Sequence, residues 1–225
     1  QNAGAVGGVR TIKHPISAAR AVLEKSEHVL LSGKGANDFA VEQGLETVAP
    51  EYFRTEYRWN SLQRALEGEK VEQEKIQGNR IIEDIDRKYG TVGCVALDKD
   101  GNIAAGTSTG GMTNKRYNRL GDSPIIGAGT YADNTTCGVS CTGWGEFFIR
   151  YAVAYDVHAR MAYGKVGLEE AADAVINKTL VAAGGTGGLV ALDAKGNVAM
   201  PFNTPGMYRA YLKAGGEREI KFYED

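Results

Sequence analysis

Apolar positions keep helical spacing through the first third of this chain and strand spacing through much of the remainder. "PISAARAVLEKS" (Pro15 to Ser26) sets small apolar residues at helical intervals behind a proline suited to a first turn, which predicts a short helix. "HVLLSG" reads as a brief strand. "GANDFAVEQGL" reads as a second helix opening near Asn37 or Asp38, and "PEYFRTEYRWNSLQRALEG" as an aromatic-rich helical stretch. The pattern then dissolves. Residues 69–88, "EKVEQEKIQGNRIIEDIDRK", are dense in charge and poor in periodic apolar positions, as expected of an exposed, mobile linker.

Beyond the linker the period changes to that of strands. "TVGCVALDKDGNIAAGTST" reads as two short strands, the first from Thr91 to Leu97, joined at Asp98 to Asn102 with Gly101 free for a positive-φ turn. The phrase recurs: "VALDKDGNIA" at 95–104 and "VALDAKGNVA" at 190–199 predict two matching hairpins, from two sheets or from one sheet used twice. Between them, "EFFIRYAVAYDVHARMAY" (Glu146 to Tyr163) is apolar nearly all round and reads as a helix buried between layers, and "GLEEAADAVINKTLV" is amphipathic. "MYRAYL" and "EIKFYE" could close the sheet. Strand runs set against helix pairs imply α+β layers, not a doubly wound parallel sheet.

Composition narrows the function classes. With 225 residues, 43% hydrophobic and 24% charged, the chain can bury a sizeable core, as one large domain or two small ones. A net charge of −2 gives no electrostatic reason to expect nucleic acid or an anionic membrane as partner. No apolar run approaches the roughly 18 residues of a membrane span. Three cysteines, Cys94, Cys137 and Cys141, lack metal-type pairing and read as small core hydrophobes; with three histidines and no nearby Cys/Asp cluster, zinc is not expected. The 30 glycines cluster in "GAVGG", "STGG", "GAG", "GWG" and "GGTGG", which points to tight turns and close backbone approach.

Those loops do not fit phosphate chemistry. "GKGAND" lacks the P-loop ending, and "GGTGG" precedes a strand where a dinucleotide fingerprint would come after one. Nor is there a Gly-x-Ser-x-Gly elbow or a cysteine with a histidine partner. His14, His28 and His158 fall at a helix entrance, at a strand entrance and in the apolar helix, where structural roles are expected. Thr91 remains. Threonine favours strands for packing reasons alone. Here, however, it comes directly after the charged linker and a bare Gly90. A chain-terminal threonine can use its own α-amino group, of pKa near 7.7–8.0, as the base for its hydroxyl. That requires cleavage of the Gly90–Thr91 bond.

"GTVGCVALD", "GTSTGGMTNK", "RLGDSPIIGAGTYAD", "SCTGWGE", "GGTGG" and "MPFNTPGMYRAY" together resemble the isoaspartyl peptidase / plant-type L-asparaginase family, N-terminal-nucleophile hydrolases with a four-layer αββα sandwich. The resemblance spans nearly the whole chain and is densest from Gly90 to Tyr211. It implies a single domain cut into an α part, residues 1–90 ending in the linker, and a β part, residues 91–225. It implies Thr91 as nucleophile, freed by autoproteolysis after Gly90, with Thr109 beside it. Arg119 and Asp122 would hold the substrate α-carboxylate and α-amino group, a pairing that suits a guanidinium fork and a carboxylate. Thr142 and Gly143 would stabilise the oxyanion, and Gly145 would offer its carbonyl to the ammonium. The implied activity is hydrolysis of β-aspartyl peptide bonds and of the asparagine side-chain amide, without a cofactor, by a dimer of αβ units. Glycosylasparaginases share "GDSP" but lack "STGGMTNK". Family chains open with a strand, a "HGGAG"-like turn and a loop that binds a structural sodium. The match here starts at "NAGAVGGV", so the expectation is a sandwich without its N-terminal strand region and without the sodium loop; a catalytically inactive fragment is the competing reading. The compartment, cytoplasm or periplasm, stays open. Trp144 stands where relatives carry small or polar residues, which bears on pocket shape.

Overall fold

The structure is a computed structural model that describes residues 2–75 and 90–223. Its first part pairs β1 (Ala5–Gly7) with β2 (Leu30–Ser32) in parallel, with α1 (Pro15–Lys25) as the crossover. A second helix, α2 (Gly33–Glu42), begins directly after β2. Pro15 sits in the first turn of α1, where a missing N–H is harmless. Ala18, Ala40 and Ile12 form a small core under these elements. A 3-10 turn at Pro50–Phe53 leads into α3 (Glu56–Lys75).

The second part is built on two face-to-face sheets. β3 (Val92–Leu97) and β4 (Ile103–Ser108) form an antiparallel hairpin; β5 (Thr130–Ala132), β6 (Cys137–Gly143), β7 (Gly187–Asp193) and β8 (Val198–Ala199) form an antiparallel sheet in that order. The recurring phrase is one piece of turn chemistry used once in each. Asp98 accepts the N–H of Asp100 and of Asn102, both at 2.8 Å, while Asn102 Nδ2 donates back to its other oxygen at 2.9 Å. Asp193 does the same with Lys195 at 2.8 Å and Asn197 at 2.9 Å, and Asn197 Nδ2 closes the pair at 2.8 Å. Gly101 and Gly196 take the left-handed position, at φ 84° and 79°.

Alternation along β6 sorts the two faces. Cys137, Val139 and Cys141 point into the main core with Phe148, Val157, Val175, Ile176, Leu180 and Leu189. Each large apolar side chain buried there stabilises the fold by about 1.5–3 kcal/mol. The helices that supply this core are α4 (Gly145–Arg150), α5 (Val153–Ala162) and α6 (Leu168–Asp173), the last continued by a π-wound turn, Ala174–Leu180, and by α7 (Val181–Ala183). Gly138 and Ser140 point the other way, at the hairpin. A Cβ on Gly93 would fall 1.9 Å from Ser140 Oγ, and one on Gly138 would fall 2.4 Å from Val95 Cγ1. Only glycine lets the two sheets approach so closely. α1 touches the outer side of the hairpin, with Ile16 Cδ1 3.5 Å from where Gly106 would carry a Cβ.

Several expectations are corrected. α2 opens at Gly33, ahead of Asn37. α3 runs on to Lys75, into the stretch read as linker, because Glu, Lys and Gln are good helix formers even without an apolar stripe; residues 76–88 of that stretch lie outside the described residues. β3 starts at Val92, so Thr91 stands just before the strand. The apolar helix is broken. Ala152 adopts φ 46°, and the first amides of α5 turn outward, Ala154 N–H to Ala128 O at 3.1 Å and Tyr155 N–H to Gly127 O at 2.8 Å. Ile149, Tyr151 and Tyr155 are exposed. Cys137 and Cys141 are buried as expected, but Cys94 is exposed. Among the described residues, β9 (Arg209–Leu212) and β10 (Arg218–Lys221) pair only with each other, so they extend neither sheet.

Candidate active site

The stacking register places the candidate residues. Gly93 faces Ser140 and Val95 faces Gly138, so β3 and β6 run in opposite senses across the two sheets. Moving toward the start of β3 and toward the end of β6 carries Thr91 toward Thr142, one residue before the end of β6. Thr91 is half-buried, and its hydroxyl donates to Thr109 Oγ1 at 3.3 Å. Thr109 Oγ1 is held in turn by the Gly111 N–H at 3.0 Å. Gly90 is exposed, and Arg58 of α3 lies against it: a Cβ at position 90 would sit 2.8 Å from Arg58 Nη2.

Past Thr142 the backbone must be glycine. Gly143 takes φ 151°, and a Cβ there would meet Thr186 O at 2.4 Å. Trp144 N–H fixes this turn by donating to the same Thr186 carbonyl at 2.9 Å, and the indole packs edge-on against Phe147. Gly145 then opens α4 beneath the remaining pair. A Cβ on it would lie 2.8 Å from Asp122 Oδ1 and 3.0 Å from Arg119 Nη2. The gap between a carboxylate and a guanidinium is therefore kept open by the absence of one methyl group.

Asp122 is 5% exposed, and its Oδ2 has no hydrogen-bond partner among the described residues. Burial, with a smaller opposing pull from Arg119, pushes its pKa up to about 6. A buried carboxylate with unused lone pairs calls for a cation. Arg119 is 18% exposed and is gripped along one edge by Glu146: Nε donates to Oε1 at 2.8 Å and Nη2 to Oε2 at 2.6 Å. Nη1, at the opposite edge, reaches to within 2.8 Å of a Cβ on Gly121. Glu146 was not singled out from the sequence; the only signal was its place directly after the Gly145 motif. The Thr107–Ser140 hydroxyl pair at 2.6 Å, which ties the hairpin to β6, was also missed.

Beside Thr109 a cavity of about 1150 Å³ opens, walled in part by Gly110, Gly111, Lys115, Arg119 and Gly121. Thr91, Asp122 and Thr142 lie outside its wall. His158 accounts for itself elsewhere, bonded to Thr136 at 2.6 Å and packed against Tyr131 and Tyr155. Among the described residues no three His, Cys, Asp or Glu side chains come together as a cation site.

The same geometry can be set against known proteins. The family model described as "Asparaginase" matches residues 1–221. An isoaspartyl peptidase of Escherichia coli is 51% identical over 224 residues, covering 99% of this chain and 68% of its own length. One from Salmonella typhimurium is 49% identical, covering 99% and 70%. A plant-type L-asparaginase of Pyrococcus horikoshii is 42% identical over 216 residues, covering 96% and 70%. With helices and sheets in the arrangement described and a match over nearly its whole length, the chain belongs to the asparaginase family.

Proposed function

We propose that this chain is a self-processing threonine hydrolase that cleaves β-aspartyl peptide bonds and the side-chain amide of L-asparagine. In this reading the two sheets and their flanking helices are the αββα sandwich, and cleavage divides one domain into an α chain ending at Gly90 and a β chain opening at Thr91. The active form is a dimer of such αβ units. The observation that carries the reading is the placement of Thr91. It stands just before β3, hydrogen-bonded to Thr109, and the stacking register turns it toward the Thr142 end of β6, beyond which Gly145 leaves room beside the Asp122 carboxylate and the Arg119 guanidinium.

Processing begins when Thr91 Oγ attacks the Gly90 carbonyl. The C–O bond forms, the C–N bond breaks, and the proton passes to the departing α-nitrogen. Water then hydrolyses the ester, which leaves a Gly90 carboxylate and a free Thr91 amine. That amine is the base for the second reaction. Arg119 takes the substrate α-carboxylate, and Asp122 with the Gly145 carbonyl takes the α-ammonium. The side-chain carbonyl is thereby held over Thr91 Oγ. Attack gives a tetrahedral oxyanion received by the Thr142 hydroxyl and the Gly143 N–H, each such donor being worth roughly 10²–10³ in rate. The leaving amine, ammonia or an amino acid, departs with the proton. Water releases aspartate from the ester.

Intact-mass measurement of the purified chain, beside Thr91→Ala, tests the reading. Two pieces meeting at Gly90/Thr91 in the parent and a single uncut mass in the variant are expected, with aspartate release only in the parent. An uncut parent, or a cut Thr91→Ala chain, overturns it.

A further inference from the structure

Of the charged residues that line the cavity, Arg10, Lys115, Arg119 and Asp133, the proposed reaction uses Arg119 alone. Lys115 lines the space beside Thr109, donates from Nζ to Gly110 O at 2.9 Å, and lies against Gly111. Among the described residues it forms no ion pair. Its neighbours in charge are cations, Arg119 and Arg10. Burial first, and then those two charges, hold the Lys115 ammonium below the ordinary lysine range. Arg119 has its acid in Glu146; Lys115, whose Nζ reaches only the Gly110 carbonyl, has no acid partner among the described residues.

The loop that presents it is built for a fixed pose. Asn114, Tyr117 and Asn118, none of them glycine, take φ 55°, 55° and 56°. Glu69 of α3 pins both neighbours of Lys115: Asn114 Nδ2 donates to Oε1 at 2.8 Å, and the Arg116 guanidinium pairs with Oε2. Clamping on either side of Lys115, with the Gly110 carbonyl as its own acceptor, sets that ammonium at the cavity wall.

Substrate chemistry supplies the missing anion, on the proposed reading of the site. Asparagine carries a single carboxylate, which Arg119 takes. An isoaspartyl dipeptide carries a second, at the end of the leaving residue. Thr109, the hydrogen-bond partner of Thr91, lines the cavity together with Lys115, while Thr91, Asp122 and Thr142 lie outside its wall, so a leaving residue that extends from Thr91 past Thr109 enters the cavity. We infer that Lys115 binds the free C-terminal carboxylate of the leaving amino acid, and so sets the enzyme's selectivity for isoaspartyl dipeptides over asparagine.

The test compares three substrates on the full, self-processed chain and on Lys115→Met and Lys115→Arg: β-aspartyl-leucine, the same dipeptide with a C-terminal amide, and L-asparagine. Lys115→Met should lower the kcat/KM ratio of the free dipeptide to its amide by about tenfold, mainly through KM, the size expected for one charge-assisted contact. The ratio of free dipeptide to asparagine should fall in step. Lys115→Arg should restore most of both ratios. An equal fall on all three substrates, or unchanged ratios, overturns the subsite while leaving the catalytic reading intact. A parent chain that turns over none of the three overturns both.

Discussion

Gly145→Ala separates what the fold needs from what the site needs. Position 145 begins α4 with ordinary backbone angles, and alanine is better than glycine in a helix by about 1 kcal/mol. The fold should therefore tolerate the change, with the propensity gain offset by local crowding. The site should not. The new methyl would stand 2.8 Å from Asp122 Oδ1 and 3.0 Å from both Arg119 Nη2 and the Asp122 backbone nitrogen. The guanidinium is the far end of a flexible side chain and can move. Asp122 is buried and has less room to move, so the methyl fills the place proposed for the ligand's ammonium. Losing one hydrogen bond to a charged group costs about 1.5–3 kcal/mol, and a displaced guanidinium adds a comparable loss. The expected result is a fall in kcat/KM of at least about 10²-fold, at roughly 1.36 kcal/mol per decade. It should appear mostly in KM, with thermal midpoint and Gly90/Thr91 processing near those of the parent. Steady-state kinetics on L-asparagine and β-aspartyl-leucine, with intact mass and a melting curve, decide it. Unchanged KM in a folded, processed variant would refute the placement of the ammonium between Asp122 and Gly145.

The ionisation of Asp122 has its own signature. Above pH 6 the ionised Asp122 costs the fold about 3 kcal/mol, at roughly 1.36 kcal/mol per pH unit between the ordinary carboxylate value and about 6. The raised pKa favours the folded state at low pH, so the cost shrinks as pH falls from 6 and vanishes below 3.8. Asp122→Asn should thus melt about 6–12 °C higher at pH 7 while losing substrate binding, and the two melting curves should converge near pH 4; a lower melting point at pH 7 refutes the orphaned-carboxylate argument. In the parent, substrate binding should strengthen as pH rises through about 6, read as KM against pH. Glu146→Ala removes the grip on the Nε edge of Arg119 and should raise KM about tenfold with a smaller change in kcat, and Glu146→Gln should recover part of it; a lowered KM would show that Glu146 competes with substrate instead of positioning the arginine. Thr109→Val removes the acceptor of the Thr91 hydroxyl and should slow both processing and turnover by about tenfold or more with KM little changed, as tracked by timed intact mass and kcat.

Much of the fold was legible in the sequence because it is written in local chemistry. Asp98 and Asn102, and again Asp193 and Asn197, announce their hairpins through side-chain bonds spanning four residues. Pro15 and the small residues behind it fix α1 in the same way. Where the determinants are remote, local reading failed. Nothing between Glu146 and Tyr163 says that the helix breaks at Ala152, because the carbonyls that draw off its amides belong to Gly127 and Ala128. Nothing local keeps "MYRAYL" and "EIKFYE" apart from the larger sheet; they satisfy one another and pack Tyr208 on Phe222.

The site divides along the same line. Thr91, Arg119, Asp122 and the glycines at 143 and 145 were found as motifs, but a motif gives residue types in order and does not give their spacing in three dimensions. That spacing comes from Gly93 and Gly138, which no chemical argument would have chosen. By carrying no side chain they let the hairpin settle onto β6 with Ser140 filling the gap, and this contact brings Thr91 level with Thr142. A side chain at position 93 would have to displace the Ser140 hydroxyl that Thr107 holds at 2.6 Å. The hairpin would then lift, and the candidate nucleophile with it. Positioning of the candidate nucleophile thus rests on two glycines that lie further along the strands than any candidate reacting group, which is why the candidate motifs can be picked out by residue type and their geometry cannot.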